Sequence, residues 1–220
     1  MPHGTFNVIV LISGNGSNLQ AIIDAIQQDK LPIAIQAVIS DRPGAYGLTR
    51  AQQANIPTHI IDYKHFSDRT RFDKALMQQI DAYQPDLIVL AGFMRILTPE
   101  CVQHYLGKMI NIHPSLLPKY QGLHTHHRVL EAGETEHGAS VHYVTPELDS
   151  GPIILQARVP VLASDTAESL QQRVHQAEYQ IYPAAIALIA TGQVSFRNNQ
   201  VYYQEKPIQD QQREYAVELH

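Results

Sequence analysis

A chain of 220 residues, 44% hydrophobic and 17% charged, is long enough to bury a core without a disulfide or metal staple and too apolar to be disordered. Its net charge of -5, with no Lys/Arg run, argues against a nucleic-acid-binding face, which needs clustered positive charge. The one cysteine, Cys101, rules out an intrachain disulfide, and no apolar run is long enough for a signal-peptide core or a membrane span, so a cytoplasmic setting is expected.

Phe6–Ile12 is apolar throughout except for Asn7 and rich in β-branched residues, the pattern of a strand buried on both faces. A tight turn follows, Ser13-Gly14-Asn15-Gly16-Ser17-Asn18, and then Leu19, Ile22, Ile23 and Ile26 recur at helical spacing. Residues 33–39 read as a second strand, 46–54 as a helix and 58–61 as a third strand. Residues 67–83 read as a helix with Phe72, Leu76 and Ile80 on one face. Leu87–Leu90 is a fourth strand, 99–105 a short helix and 109–112 a fifth strand. The Pro- and His-rich stretch 114–127 is expected to be a long loop, and long ordered loops are often functional. A short helix at 128–132 leads to strands at 139–144 and 153–159, then to a long helix near 166–190 that buries Leu170, Val174, Ala177 and Ile181. Pro183 lies inside that helix as a candidate kink. Residues 194–196 and 201–203 form a hairpin turning at Asn198-Asn199, and the polar tail after Pro207 is expected to be loose. Alternating strands and helices imply a mostly parallel sheet with helices on both faces and ligands at the strand C-termini.

Gly14-Asn15-Gly16-Ser17-Asn18-Leu19 follows a strand and opens a helix, where free N–H groups and a partial positive charge favour phosphate. Leu19 breaks the G-x-G-x-x-G dinucleotide fingerprint and weakens that reading, although Asp41 at the end of the second strand could mimic its ribose-binding carboxylate. The alternative is a plain turn with Ser17 or Asn18 as helix cap. Asn111 and His113 lie two residues apart at a strand end, so their side chains share one side. An amide donor beside an imidazole suits acyl transfer to an amine, stabilising the oxyanion and carrying the proton. Asp149, in a Gly-Pro loop, completes a trio if that loop folds over the same edge, and its carboxylate would favour imidazolium at His113. The alternative is that Asn111 and His113 only satisfy loop backbone groups and Asp149 caps a turn. His124, His126, His127, His137 and His142 cluster in sequence but lack the paired spacing of a zinc site, and no metal is expected.

Five stretches carry a resemblance to the phosphoribosylglycinamide formyltransferases, the folate-dependent enzymes of purine synthesis. They are Ser13-Gly14-Asn15-Gly16-Ser17-Asn18-Leu19-Gln20-Ala21-Ile22, Leu90-Ala91-Gly92-Phe93-Met94-Arg95-Ile96-Leu97, Ile110-Asn111-Ile112-His113-Pro114-Ser115-Leu116-Leu117-Pro118-Lys119-Tyr120, Gly122-Leu123-His124-Thr125-His126 and Glu147-Leu148-Asp149-Ser150-Gly151-Pro152-Ile153-Ile154. The resemblance runs in order from about residue 7 to 204. It implies a three-layer Rossmann-like formyltransferase fold, a mostly parallel sheet with an antiparallel C-terminal part, in a single domain with its core at about 6–204.

It also implies transfer of the formyl group of 10-formyltetrahydrofolate to the amine of glycinamide ribonucleotide, with no metal. The partners implied are these small molecules only, for a monomer or weak homodimer. Asn111, His113 and Asp149 match the catalytic trio. Gly16, Ser17, Asn18, His175 and Glu178 match substrate contacts. Arg69, Met94, Arg95, Ile96, Leu97, Asn111, Thr145, Pro146, Glu147, Leu148 and Asp149 match formylfolate contacts. His175 stands where the family usually carries Gln or Lys. Formyltransferases acting on initiator tRNA and formyltetrahydrofolate hydrolases share the core but carry further domains. An oxidoreductase or a nucleotide-binding module explains the glycine turn but not the trio.

Overall fold

The computed structural model describes residues 5–208 and 214–219. The chain divides into two compact units, Met1–Asn111 and Ile112–His220.

The first unit alternates strand and helix: β1 (Phe6–Ile12), α1 (Ser17–Gln27), β2 (Ile33–Ser40), α2 (Tyr46–Gln53), β3 (Thr58–Ile60), a 3-10 turn at Tyr63–His65, α3 (Arg69–Asp81), β4 (Leu87–Leu90), α4 (Pro99–His104) and β5 (Met109–His113), whose last two residues open the second unit. Val8, Ile9, Val10, Leu11 and Ile12 have no exposed surface, as a strand covered on both faces requires. Within this unit the strands run parallel in the order β5-β4-β1-β2-β3. Ile12 pairs with Ser40, Leu11 with Leu90 and Leu90 with Asn111, so β1, β2, β4 and β5 all finish at one edge. The strand order reverses at β1, and the crevice at such a reversal is where open α/β sheets bind ligands. Helix α3 buries Phe72, Leu76 and Ile80 as its spacing predicts.

The second unit contains α5 (Thr125–Glu131), β6 (Glu136–Tyr143), β7 (Ile153–Pro160), α6 (Ala167–Ala190), β8 (Val194–Arg197), β9 (Gln200–Tyr203), β10 (Lys206–Pro207) and β11 (Glu214–Tyr215). Strands β6 and β7 are antiparallel, which supplies the expected antiparallel part of a mixed α/β fold. Helix α6 starts at a reciprocal Thr166–Ser169 capping box, runs through Pro183, and fully buries Leu170, Val174, Ala177 and Ile181. Asn198 and Asn199 turn the β8–β9 hairpin with φ of 52° and 58°, the left-handed pair that a two-residue turn demands.

Three expectations change. Gly16, rather than Ser17 or Asn18, occupies the cap position of α1, in a left-handed conformation. Helix α5 begins at Thr125, inside the stretch expected to be loop, because its seven residues carry too few apolar positions to show a helical period. Within the polar tail, residues 214–215 form β11, parallel to β7, with Glu214 beside Gln156 and Tyr215 beside Ala157; β10, just before the tail, extends the hairpin, and residues 209–213 and 220 of the tail lie outside the described residues.

Candidate active site

In the first unit, the glycine turn is shaped by close backbone approach. A Cβ on Gly16 would sit 2.6 Å from the Gly47 Cα in α2, and Gly16 has φ of 74°. The Gly47 N–H donates to the Gly14 carbonyl at 3.0 Å. Arg50, one turn further along α2, donates to the Asn15 carbonyl and to Asn15 Oδ1, both at 2.9 Å, and to Gln20 Oε1 at 3.2 Å. This arginine was missed in the sequence because nothing in its spacing links it to a turn 35 residues away. The turn delivers Ser17 and the buried Asn18 at the N-terminus of α1, where the helix dipole favours an anion.

The segment after β4 carries four of the residues matched to folate contacts, and it is pinned along its length. The Ser13 N–H donates to the Gly92 carbonyl (3.2 Å), and Ser13 Oγ accepts from the Met94 N–H (2.8 Å). Arg95 Nε donates to the Asp41 carboxylate (2.6 Å), and its guanidinium lies 4.1 Å from the Tyr63 ring centroid. Arg69 Nη1 reaches the Ile96 carbonyl at 3.5 Å, and the Thr98 N–H donates to the buried Asp73 carboxylate at 2.6 Å. Met94 and Ile96 are left 60% and 61% exposed, an apolar surface that a flat ligand can cover, while Leu97 is buried. Asp41 itself is closed off. Its side chain has no exposed surface and is ion-paired, so it does not offer the ribose-binding carboxylate of a dinucleotide fold.

In the second unit, His113 and Asp149 come together. His113 Nδ1 lies 3.4 Å from Asp149 Oδ2, with both side chains more than nine-tenths buried. His113 Nε2 lies 2.9 Å from the Tyr120 carbonyl, which can only accept, so Nε2 carries a proton. An imidazolium satisfies both contacts at once. Asp149 takes φ of 48°, its Oδ2 accepts from the Gly122 N–H (3.0 Å), and its carbonyl accepts from Gln121 Nε2 (3.1 Å). Three consecutive residues, Tyr120, Gln121 and Gly122, thus clasp the pair. Arg128 in α5 braces the clasp from behind, donating to the Gln121 carbonyl at 2.6 Å. Upstream, the Ser140 hydroxyl donates to the Ser115 carbonyl (2.7 Å) and Gln156 Nε2 to the Leu117 carbonyl (2.9 Å), fastening the loop to β6 and β7. Asn111, at the other end of the two-residue step from His113, is half-buried at the sheet edge.

The sequence also left His142 without a role. Its Nδ1–H donates to the Tyr143 carbonyl (2.9 Å), its Nε2 lies 3.8 Å from Asp149 Oδ1, and burial lowers its pKa. Asp149 therefore stands between two imidazoles. His126 and His137 bond to each other at 3.0 Å, each pushed down to about 4 chiefly by burial, while His124 and His127 are exposed. Among the described residues, no group of three or more His, Cys, Asp or Glu side chains is placed to hold a metal ion. His175, on α6, is half-buried, stacks near Tyr179 and has its pKa lowered by burial; Glu178, one turn on, is buried. In the β6–β7 loop, Thr145 is buried, Pro146 and Glu147 are exposed and Leu148 is 52% exposed. A cleft of about 340 Å³ opens beside Asp149, between residues 117–118, 150–153 and 199–201.

A sequence profile of the formyl transferase family matches residues 6–186. The chain is 54% identical over 193 residues to the phosphoribosylglycinamide formyltransferase of Escherichia coli, covering 88% of this chain and 91% of that one. The solved structure of the phosphoribosylglycinamide formyltransferase of Coxiella burnetii is 57% identical and matches with a TM-score of 0.92, over 96% of this chain and 99% of that one. The human trifunctional purine biosynthetic protein adenosine-3 is 46% identical over 192 residues, 87% of this chain but 19% of that protein. The profile match, which spans β1 to α6, defines the class: the fold is that of a formyl transferase. Within that class, the chain belongs to the phosphoribosylglycinamide formyltransferases and is an enzyme of one-carbon transfer.

Proposed function

We propose that this enzyme transfers the formyl group of 10-formyltetrahydrofolate to the amine of glycinamide ribonucleotide, a step of purine nucleotide synthesis, with Asn111, His113 and Asp149 as its catalytic trio. The observation that carries the reading is the clasped His113–Asp149 pair, 3.4 Å apart and almost wholly buried, at the end of the strand that bears Asn111. The amine nitrogen attacks the formyl carbon directly and negative charge builds on the formyl oxygen. The Asn111 amide and the His113 imidazolium supply the donors that stabilise it. The amine loses a proton and the departing folate nitrogen gains one. His113, directly or through one water, carries the exchange, so the C–N bond to folate breaks with no net change in charge. Asp149 holds the imidazolium, and no metal or covalent intermediate enters.

Gly16, Ser17 and Asn18 take the substrate phosphate and ribose, with His175 and Glu178 as further substrate contacts. Arg69, Met94, Arg95, Ile96, Leu97, Asn111, Thr145, Pro146, Glu147, Leu148 and Asp149 receive the formylfolate. The test is an assay of formylated product from the two substrates, with a chelator arm and an arm lacking the amine substrate. Formylated product that forms equally with and without chelator supports the reading. Release of formate to water as the main reaction, or activity lost to chelator and restored by zinc, overturns it.

A further inference from the structure

Asp41 takes no part in the chemistry just described, yet its carboxylate is completely buried. A buried carboxylate destabilises a fold unless it is paired. Here the pairing falls on one oxygen. Oδ2 accepts from Arg95 Nε at 2.6 Å and lies 3.8 Å from the exposed Arg42, while Oδ1 has no hydrogen-bond partner among the described residues. The main chain of Asp41 is committed to the same neighbourhood, because its carbonyl accepts from the Tyr63 N–H at 3.2 Å. Tyr63 in turn places its ring 4.1 Å from the Arg95 guanidinium carbon. Asp41 thus holds Arg95 through its side chain and Tyr63 through its backbone, and those two residues stack on each other, closing a triangle.

Arg95 sits between Met94 and Ile96, whose side chains stand exposed. With Nε bound to a buried carboxylate and one face on an aromatic ring, its guanidinium works as an anchor driven into the protein. We infer that Asp41 is a positioning residue for the folate co-substrate: acting through Arg95, it fixes the main chain of residues 94–97 in the conformation that receives formylfolate. The other pins, Ser13, Arg69 and Asp73, hold Met94, Ile96 and Thr98 by the backbone. The Asp41–Arg95 pair is the side-chain pin at the centre. A segment ordered before the ligand arrives loses less freedom on binding, so the benefit falls on folate affinity rather than on the chemical step.

The inference rests on the assignment of residues 94–97 to formylfolate, and the experiment separates the two. Steady-state constants for both substrates are measured, with melting temperatures, for Asp41→Asn, Arg95→Met, the double variant and Ile96→Asp. Asp41→Asn is expected to raise KM for 10-formyltetrahydrofolate roughly tenfold, equivalent to about 1.4 kcal/mol, with kcat and the KM for the amine substrate within about twofold of wild type. Arg95→Met, which cuts the same pin from the loop side and removes a folate contact as well, is expected to raise the folate KM at least as far even if Asp41→Asn fails to fold, and the double variant to add nothing beyond Arg95→Met. A folate KM unmoved in a folded Asp41→Asn, or unmoved in Arg95→Met, or a double variant whose effect is the product of the two, overturns the positioning role. So does a lowered melting temperature with both KM values unchanged, the mark of a purely structural pair. Ile96→Asp probes the contact surface itself. If it leaves the folate KM unchanged, the assignment of the segment to folate fails. If it raises that KM while Asp41→Asn does not, only the positioning role fails.

Discussion

Replacing Gly16 by alanine strikes the point where the glycine turn meets α2. The new Cβ would lie 2.6 Å from the Gly47 Cα and 3.5 Å from Arg50 Cδ, and the first of these is backbone that cannot swing away. Two costs add. Holding a non-glycine residue in the left-handed region costs about 1–2 kcal/mol, and forcing an extra carbon into a packed contact typically costs about 1–3 kcal/mol. A stiffer unfolded chain returns about 0.4–1 kcal/mol. A central net loss near 3 kcal/mol lowers the melting temperature of a protein of this size by about 6–12 °C. Gly14→Ala is the control, since its Cβ would meet nothing within 4 Å and its φ is not left-handed. Thermal melts of the two variants, with KM for glycinamide ribonucleotide, make the assay. Gly16→Ala should melt lower and bind the substrate more weakly. If it melts within about 2 °C of Gly14→Ala, the close approach does not constrain the turn as argued.

His113→Ala and Asp149→Asn should each lower kcat by on the order of a hundredfold or more while moving both KM values little, since they act on charge that develops in the transition state; a loss under tenfold would remove them from the trio. Burial holds the pKa of His175 below its ordinary value in the free enzyme, whereas a phosphate dianion at hydrogen-bond distance would raise it. Substrate affinity should then be highest at low pH and weaken as pH rises through the raised value in the complex. The KM for glycinamide ribonucleotide should therefore climb with pH more steeply in wild type than in His175→Gln, and parallel curves would separate His175 from the phosphate. For His126 and His137, the folded values of about 4 lie below the unfolded reference of 6.5, so between those limits the unfolded chain binds more protons. Stability should be full above about pH 6.5 and fall towards pH 4, and His137→Asn should flatten that slope.

The strands and long helices were readable from sequence because burial imposes a period. β1 shows as the unbroken apolar run Val8–Ile12, and α6 shows as Leu170, Val174, Ala177 and Ile181 at helical spacing. Asn111, His113 and Asp149 were readable as candidate residue types at a strand end and in a turn. Their setting was not. The contacts that hold His113 and Asp149 come from the Tyr120 carbonyl and the Gly122 N–H, and every residue but proline has both groups. His142 escaped for a related reason. It sits within β6, where its side chain reads as one more position in an alternating strand, and only the fold of the 145–149 loop brings Asp149 towards it. The pairing of Asp41 was not readable at all, because a strand-end carboxylate looks the same whether it faces a ligand or an arginine 54 residues away.

The β11 strand carries a practical consequence for anyone trimming or tagging this chain. It covers the outer edge of β7 for two residues, and Glu214 closes on Arg158 at 2.8 Å while Glu136 holds the same guanidinium at 3.1 Å. Cutting the chain after Pro207 would spare every residue given a role above, so a turnover assay at low enzyme concentration would register no defect. It would also uncover the outer edge of β7 at Gln156 and Ala157 and present their main-chain groups to the next molecule. Bare strand edges of this kind seed pairing between chains. The cost of the missing tail would surface in concentrated stocks, as turbidity and a shortened shelf life.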